Sequence, residues 1–188
     1  SGFGFNYITA FAKIRKSSSR FILHEDYLGF WDYLTCFFTG FLIFFKRVRA
    51  LKSDQFDLSP ILNEERFPSN SQIQSLLTYK AWLKMGDSGL RPDLVLLWFE
   101  NQVIDKAAVA GAKKAFPGVP IKGAQILVAS KNYLNLYLSK SEVEKGLGPD
   151  ILLEAGEKQC EDARIFGGDL PCVPAAALRY GYLYSDFK

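Results

Sequence analysis

Three observations predict an α/β fold, a Rossmann-like parallel sheet carrying a helical N-terminal extension. The turn residues Arg91–Pro92–Asp93 lead into LVLLWF, a continuous apolar run of strand length, which reads as a strand buried on both faces. A helical pattern follows over 101–115 and is stopped by Pro117, Gly118 and Pro120. A second strand pattern then runs through Ile121–Val128. The unit repeats: Pro149–Asp150 precedes ILL, a helix is expected near 156–165, and Gly167–Gly168 comes before the apolar segment Val173–Leu178. Strand–helix–strand repetition implies parallel strands joined by right-handed crossovers.

The elements before this layer are helical. Residues 5–16, FNYITAFAKIRK, give a short helix with a basic end, and Arg20–Leu23 suits a strand. A long helix is expected over roughly 27–51. The acids of His24–Glu25–Asp26 lie at its start and Lys46, Arg47, Arg49 and Lys52 at its end, matching the helix dipole. Residues 52–70 are polar and contain Pro60 and Pro68. Ser69 or Ser71 can cap a helix running to about Met85, with Ile73, Leu76, Leu77 and Trp82 as its stripe. In the helix over 101–115, Val103, Ile104, Ala107, Ala108, Ala110 and Gly111 form the expected packing side.

Charge and aromatic content divide the chain. Of 28 aromatic residues, 14 lie within residues 1–45; residues 1–52 carry a net charge of +5 and residues 53–188 a net charge of −2. The expected organisation is therefore a basic, aromatic helical arm (1–52) on a Rossmann-like domain (53–188), with the arm covering one face of the sheet. The overall charge of +3 is too small to mark a nucleic-acid partner.

Three cysteines, Cys36, Cys160 and Cys172, and one histidine, His24, cannot furnish a standard zinc site, so no metal is expected. No CxxC and no N-x-S/T sequon occur. Reduced, buried thiols in a reducing, cytoplasmic setting are the expectation. The N-terminus has no positive segment before a compact apolar one, so it does not read as a signal peptide. Tyr33–Phe45 is uncharged but only thirteen residues long, against roughly 20 needed for a span. It reads as an amphipathic or buried helix. P-loop, dinucleotide, DxD and nucleophile-elbow patterns are all absent.

Chemistry in open parallel sheets concentrates at the carboxyl ends of strands. Phe99–Glu100–Asn101–Gln102 leaves the first strand where a helix begins. Glu100 there can act as acid, base or nucleophile, with Asn101 and Gln102 holding hydroxyls, or the group can simply cap the helix. Gln125, after Gly123, can face a ligand or project outward from an edge strand. Glu25 and Asp26 can divide acid and base roles or cap the long helix. His24 beside them reads more readily as a surface or cap residue. Arg179 can bind an anion or be a solvated strand end.

The strings PDLVLLWFENQVIDKA, GVPIKGAQ, GPDILLEAG and VPAAALRYGYLY together resemble bacterial surface-carbohydrate (capsule or O-antigen) glycosyltransferases of the two-Rossmann-domain GT-B type. They are similar to the transferases that use CMP-linked ulosonic acids such as Kdo or sialic acid. The likeness is loose over 20–184 and better over 92–180. In that family an apolar strand ends in an acid–Asn pair, the next ends in Gly-x-Gln often followed by His, and a Pro-Ala-x-Arg-Tyr element comes later. Ile126 stands here where that His is expected.

The resemblance implies sugar transfer from a nucleotide-activated donor to a saccharide or lipid-linked saccharide acceptor. Glu100 and Glu25 would be the catalytic carboxylates. Asn101, Gln102, Gln125, Asp26 and Arg179 would bind substrate. With room for one Rossmann domain, the expectation is the acceptor-side half, the donor nucleotide lying on a second domain and this half alone being inactive. No other cofactor is expected, and residues 46–52 are expected to meet an anionic membrane surface at the cytoplasmic face. The competing expectation is a non-catalytic module that docks on a membrane or partner.

Overall fold

The computed structural model describes residues 7–16, 23–45, 52–53, 56–57, 59, 70–125 and 132–175. Helix α1 (Tyr7–Arg15) comes first, then a 3-10 turn at His24–Tyr27 and helix α2 (Phe30–Phe45). A minimal antiparallel pair, β1 (Lys52–Ser53) with β2 (Phe56–Asp57), precedes helix α3 (Asn70–Asp87). The α/β layer follows as β3 (Val95–Trp98), α4 (Val103–Ala115), β4 (Ile121–Ala124), α5 (Lys140–Glu144), β5 (Ile151–Glu154), α6 (Glu157–Gly167) and β6 (Cys172–Pro174).

The long helix expected over 27–51 starts at Phe30, and residues 46–51 lie outside the described residues. The Asp32 carboxylate accepts the backbone N–H of Gly29 at 2.8 Å, which fixes the start of α2 and leaves His24–Tyr27 as a separate turn. Of the strand expected at Arg20–Leu23, only Leu23 lies among the described residues. The expected continuation of the second strand over 126–128 lies wholly outside the described residues.

The four strands are parallel and stand in the order β3-β4-β5-β6. Consecutive order with right-handed crossovers sends every connection to one face. The burial alternates accordingly. Val95, Phe99, Ile121, Leu152 and Cys172 are buried on the helix side, together with Val109 and Ala112 of α4 and Cys160 of α6. The opposite face is open: Leu96 is 61% exposed, Trp98 54% and Val173 47%. The run read as buried on both faces is therefore buried on one, because the crossovers it needs all lie on the same side.

Helix α2, the longest described part of the arm, does not pack on that open face. Helix α2 packs along α3, and α3 packs along α4. Gly111 makes the second contact close, since a Cβ there would meet Trp82 Cβ at 2.9 Å and the Tyr79 carbonyl oxygen at 3.0 Å. This rotation of α4 buries Val109 and Ala112 and leaves Val103 exposed, whereas the sequence places Val103 on the packing side. All three thiols are free and buried. Cys160 and Cys172, distant in sequence, touch across α6 and β6.

Candidate functional site

Past the end of β3 the chain turns sharply at Asn101, whose φ of 60° is a left-handed conformation that Asn tolerates better than most residues. The turn is held from both sides. The Asp105 carboxylate, one turn into α4, accepts the backbone N–H groups of Glu100 at 2.8 Å and Gln102 at 3.1 Å. The Asn101 amide donates to the carbonyls of Tyr137 at 2.8 Å and Asn135 at 3.1 Å. Gln102 Nε2 donates to Glu100 Oε2 at 3.3 Å. Glu100 is thus a half-buried carboxylate on a braced turn, with one oxygen steadied by a neighbour.

Glu100, Asn101 and Gln102 line a cleft of about 380 Å³ together with Ser71 and Gln74 of α3 and Asn135. A second cleft, of about 340 Å³, is lined by His24, Glu25 and Tyr33 and again by Gln74. Gln74 and Ile104 line both, so the two clefts adjoin as a two-part groove beside α3. It runs from the 3-10 turn to the carboxyl end of β3, the edge strand of the parallel sheet. Two candidate segments far apart in the chain line its two parts, His24–Glu25 one and Glu100–Gln102 the other. His24 also packs edge-on to Trp82, with ring centroids 6.0 Å apart.

The other expected site residues are placed differently. Asp26 forms an ion pair with Arg15 at 2.6 Å, which joins the 3-10 turn to α1. Gln125 does not project from an edge strand. It follows an interior strand, is buried, and its Nε2 donates to the Leu136 carbonyl at 2.7 Å. Gln125 and Asn101 thus use their amide donors to hold the 134–137 turn over the strand ends. Arg179, Lys46, Arg47 and Arg49 lie outside the described residues.

One polar residue at the strand ends escapes the sequence reading. Glu154, the last residue of β5, is only 2% exposed, and burial pushes its carboxyl up to about 7 against the pull of the Ala155 backbone N–H. Among the described residues, Glu154 Oε1 and Asn101 Oδ1 are buried without a hydrogen-bond partner. A signal for Glu154 does exist: ILLE ends in an acid before a helix, just as LLWFE does. Among the described residues, no group of three or more His, Cys, Asp or Glu side chains converges as a metal-ligand set, and no helix is long and apolar enough to cross a membrane. Comparison with known protein families, curated proteins and solved structures finds no match.

Proposed function

We propose that this chain is the acceptor-side domain of a glycosyltransferase that builds bacterial surface polysaccharide, transferring sugar from a nucleotide-activated donor, CMP-linked in the members it resembles. The observation that carries the reading is the groove: Glu25 and Glu100 reach adjoining walls of it at the carboxyl end of a parallel strand. A saccharide or lipid-linked saccharide acceptor lies along Gln74 and Ile104. If configuration inverts, Glu100 takes the proton of the acceptor hydroxyl as that oxygen bonds the donor's anomeric carbon and the nucleotide leaves; if it is retained, Glu100 itself bonds that carbon as the nucleotide leaves, and the acceptor hydroxyl then displaces Glu100. Gln102 and Ser71 hold sugar hydroxyls. Asn101 and Gln125 position the turn that roofs the strand ends, and do not bind the sugar themselves. The donor nucleotide belongs to a second Rossmann domain.

The test is a transfer assay on the intact transferase with labelled nucleotide sugar and lipid-linked acceptor. Glu100→Gln is expected to lower turnover by at least roughly a hundredfold, the usual contribution of a general base, with circular dichroism unchanged. Turnover near that of the parent protein would overturn the assignment. The second reading, a non-catalytic docking module, is favoured by the uncharged aromatic face of α2. Calorimetric titration of this chain with acceptor oligosaccharide separates the two, since a module would bind none.

A further inference from the structure

Helix α2 turns Asp32, Cys36 and Gly40 inward and most of its aromatic residues outward. Asp32, Cys36 and Gly40, spaced four apart, are buried against α3, where a Cβ at position 40 would meet Ile73 Cγ1 at 3.4 Å. Outside lie Trp31 (72% exposed), Phe37, Phe38, Phe41, Leu42 (61%) and Phe45. The one acid of the helix, Asp32, is clasped by Lys84 at 2.6 Å and Lys80 at 3.2 Å, which hold its carboxyl down at about 2 and ionised. The exposed hydroxyls are satisfied at home: Thr35 donates to the Trp31 carbonyl at 2.8 Å and Thr39 to the Thr35 carbonyl at 2.7 Å. Outward, the helix offers aromatic and aliphatic surface with no charge, and its threonine hydroxyls ask nothing of water.

We propose that α2 lies in the plane of an anionic lipid surface, its Phe37–Phe38–Phe41–Leu42 face buried at the boundary between headgroups and acyl chains. This is independent of the catalytic reading. Charge complementarity selects the occupant: Lys46, Arg47, Arg49 and Lys52 follow the helix within seven residues, and no acid falls between Tyr33 and Lys52. Apolar insertion followed by basic residues is the composition that binds an anionic interface. Length decides in-plane over spanning. Sixteen residues at about 1.5 Å each extend roughly 24 Å, short of the roughly 30 Å hydrocarbon core. Trp31 and the flanking Phe side chains suit the interfacial level.

The test is flotation of the 188-residue chain with vesicles of phosphatidylcholine containing phosphatidylglycerol, and with phosphatidylcholine alone. The chain is expected to float with the anionic vesicles and much less with the neutral ones. The double variant Phe38→Glu/Leu42→Glu should bind at least roughly tenfold more weakly with unchanged circular dichroism. Ile165→Glu, which alters an exposed apolar residue on α6, should float as the parent does. Phe38→Ser/Leu42→Ser repeats the comparison without added charge if the charged pair unfolds the chain. Failure of the parent chain to float, or equal flotation of parent and both double variants, overturns the proposal. So does a parent chain that is dimeric in light scattering, monomeric as the double variant and absent from the vesicle fraction, since the face would then belong to a second copy.

Discussion

The ends of β3 and β5 carry the same chemistry to opposite outcomes. Each strand is a short apolar run closing on a glutamate before a helix, Trp98–Phe99–Glu100 in one and Leu152–Leu153–Glu154 in the other. The register pairs Trp98 with Ala124 and Ala124 with Leu153, so Glu154 stands level with Gln125 and Phe99, while Glu100 falls one residue further out. Side chains alternate between faces along a strand. Glu154 therefore points with Leu152 into the helix side and is sealed there, whereas Glu100 has left the sheet and sits on the wall of the groove. A single residue of phase separates a carboxyl forced towards its neutral form from one held beside open space.

Substitutions at the two strand ends separate the roles of their glutamates. The largest effect is expected at Glu154. Its carboxyl titrates near 7 in the fold against 4.5 when exposed, so the folded state holds a proton that the unfolded state has lost between those values. Stability therefore falls as pH rises from about 4.5 to 7 and is lowest above 7. At about 1.4 kcal/mol per unit, this difference is worth roughly 3 kcal/mol. Glu154→Gln removes the titration, and its melting temperature should change much less between pH 5 and pH 8 than that of the parent. An identical pH slope in parent and variant would show that Glu154 holds no extra proton in the fold over that range. Asn101→Ala comes next. It removes the amide that holds the Asn135 and Tyr137 carbonyls and places a residue less tolerant of positive φ at 60°. Urea unfolding should show a loss of about 2 kcal/mol. Asn101→Gly keeps the backbone conformation and loses only the clamp, so it should cost about half as much. Equal costs would place the whole effect in the hydrogen bonds.

Phase along a strand is visible in the sequence, but what lies against each face is not. Strands, crossovers and parallel order were legible, because apolar runs bounded by Pro, Gly and Asp repeat along 91–175. The covering of the sheet was not. LVLLWF is equally apolar on both sides, and nothing in it reveals that the crossovers share one face and leave Leu96 and Trp98 open. Glu100 and Glu25 could be singled out as acids beside helix starts, but it is Gln74 and Ile104, which carry no motif, that make their clefts adjoin. Asn101 and Gln125 looked like ligand-binding amides, since sequence cannot show that the 134–137 backbone arrives to take their donors. Asp26 was indistinguishable from Glu25 until Arg15 paired with it.

The smallest effects are expected at the β3 end, and they are the most diagnostic. Asp105→Ala frees the N–H groups of Glu100 and Gln102 and should cost about 1 kcal/mol, the usual loss for an acceptor at a helix start. Glu100→Gln should change stability by less than about 0.5 kcal/mol, because the carboxylate is only half-buried and its side chain takes one long hydrogen bond, from Gln102. A site carboxylate and a structural one part company here. If Glu100 serves the groove, Glu100→Gln leaves the urea midpoint in place, while Glu154→Gln flattens its pH dependence. If Glu100→Gln instead lowers the midpoint as far as Asn101→Ala does, then Glu100 is part of the brace around the turn, and the groove loses the group on which its chemistry rests.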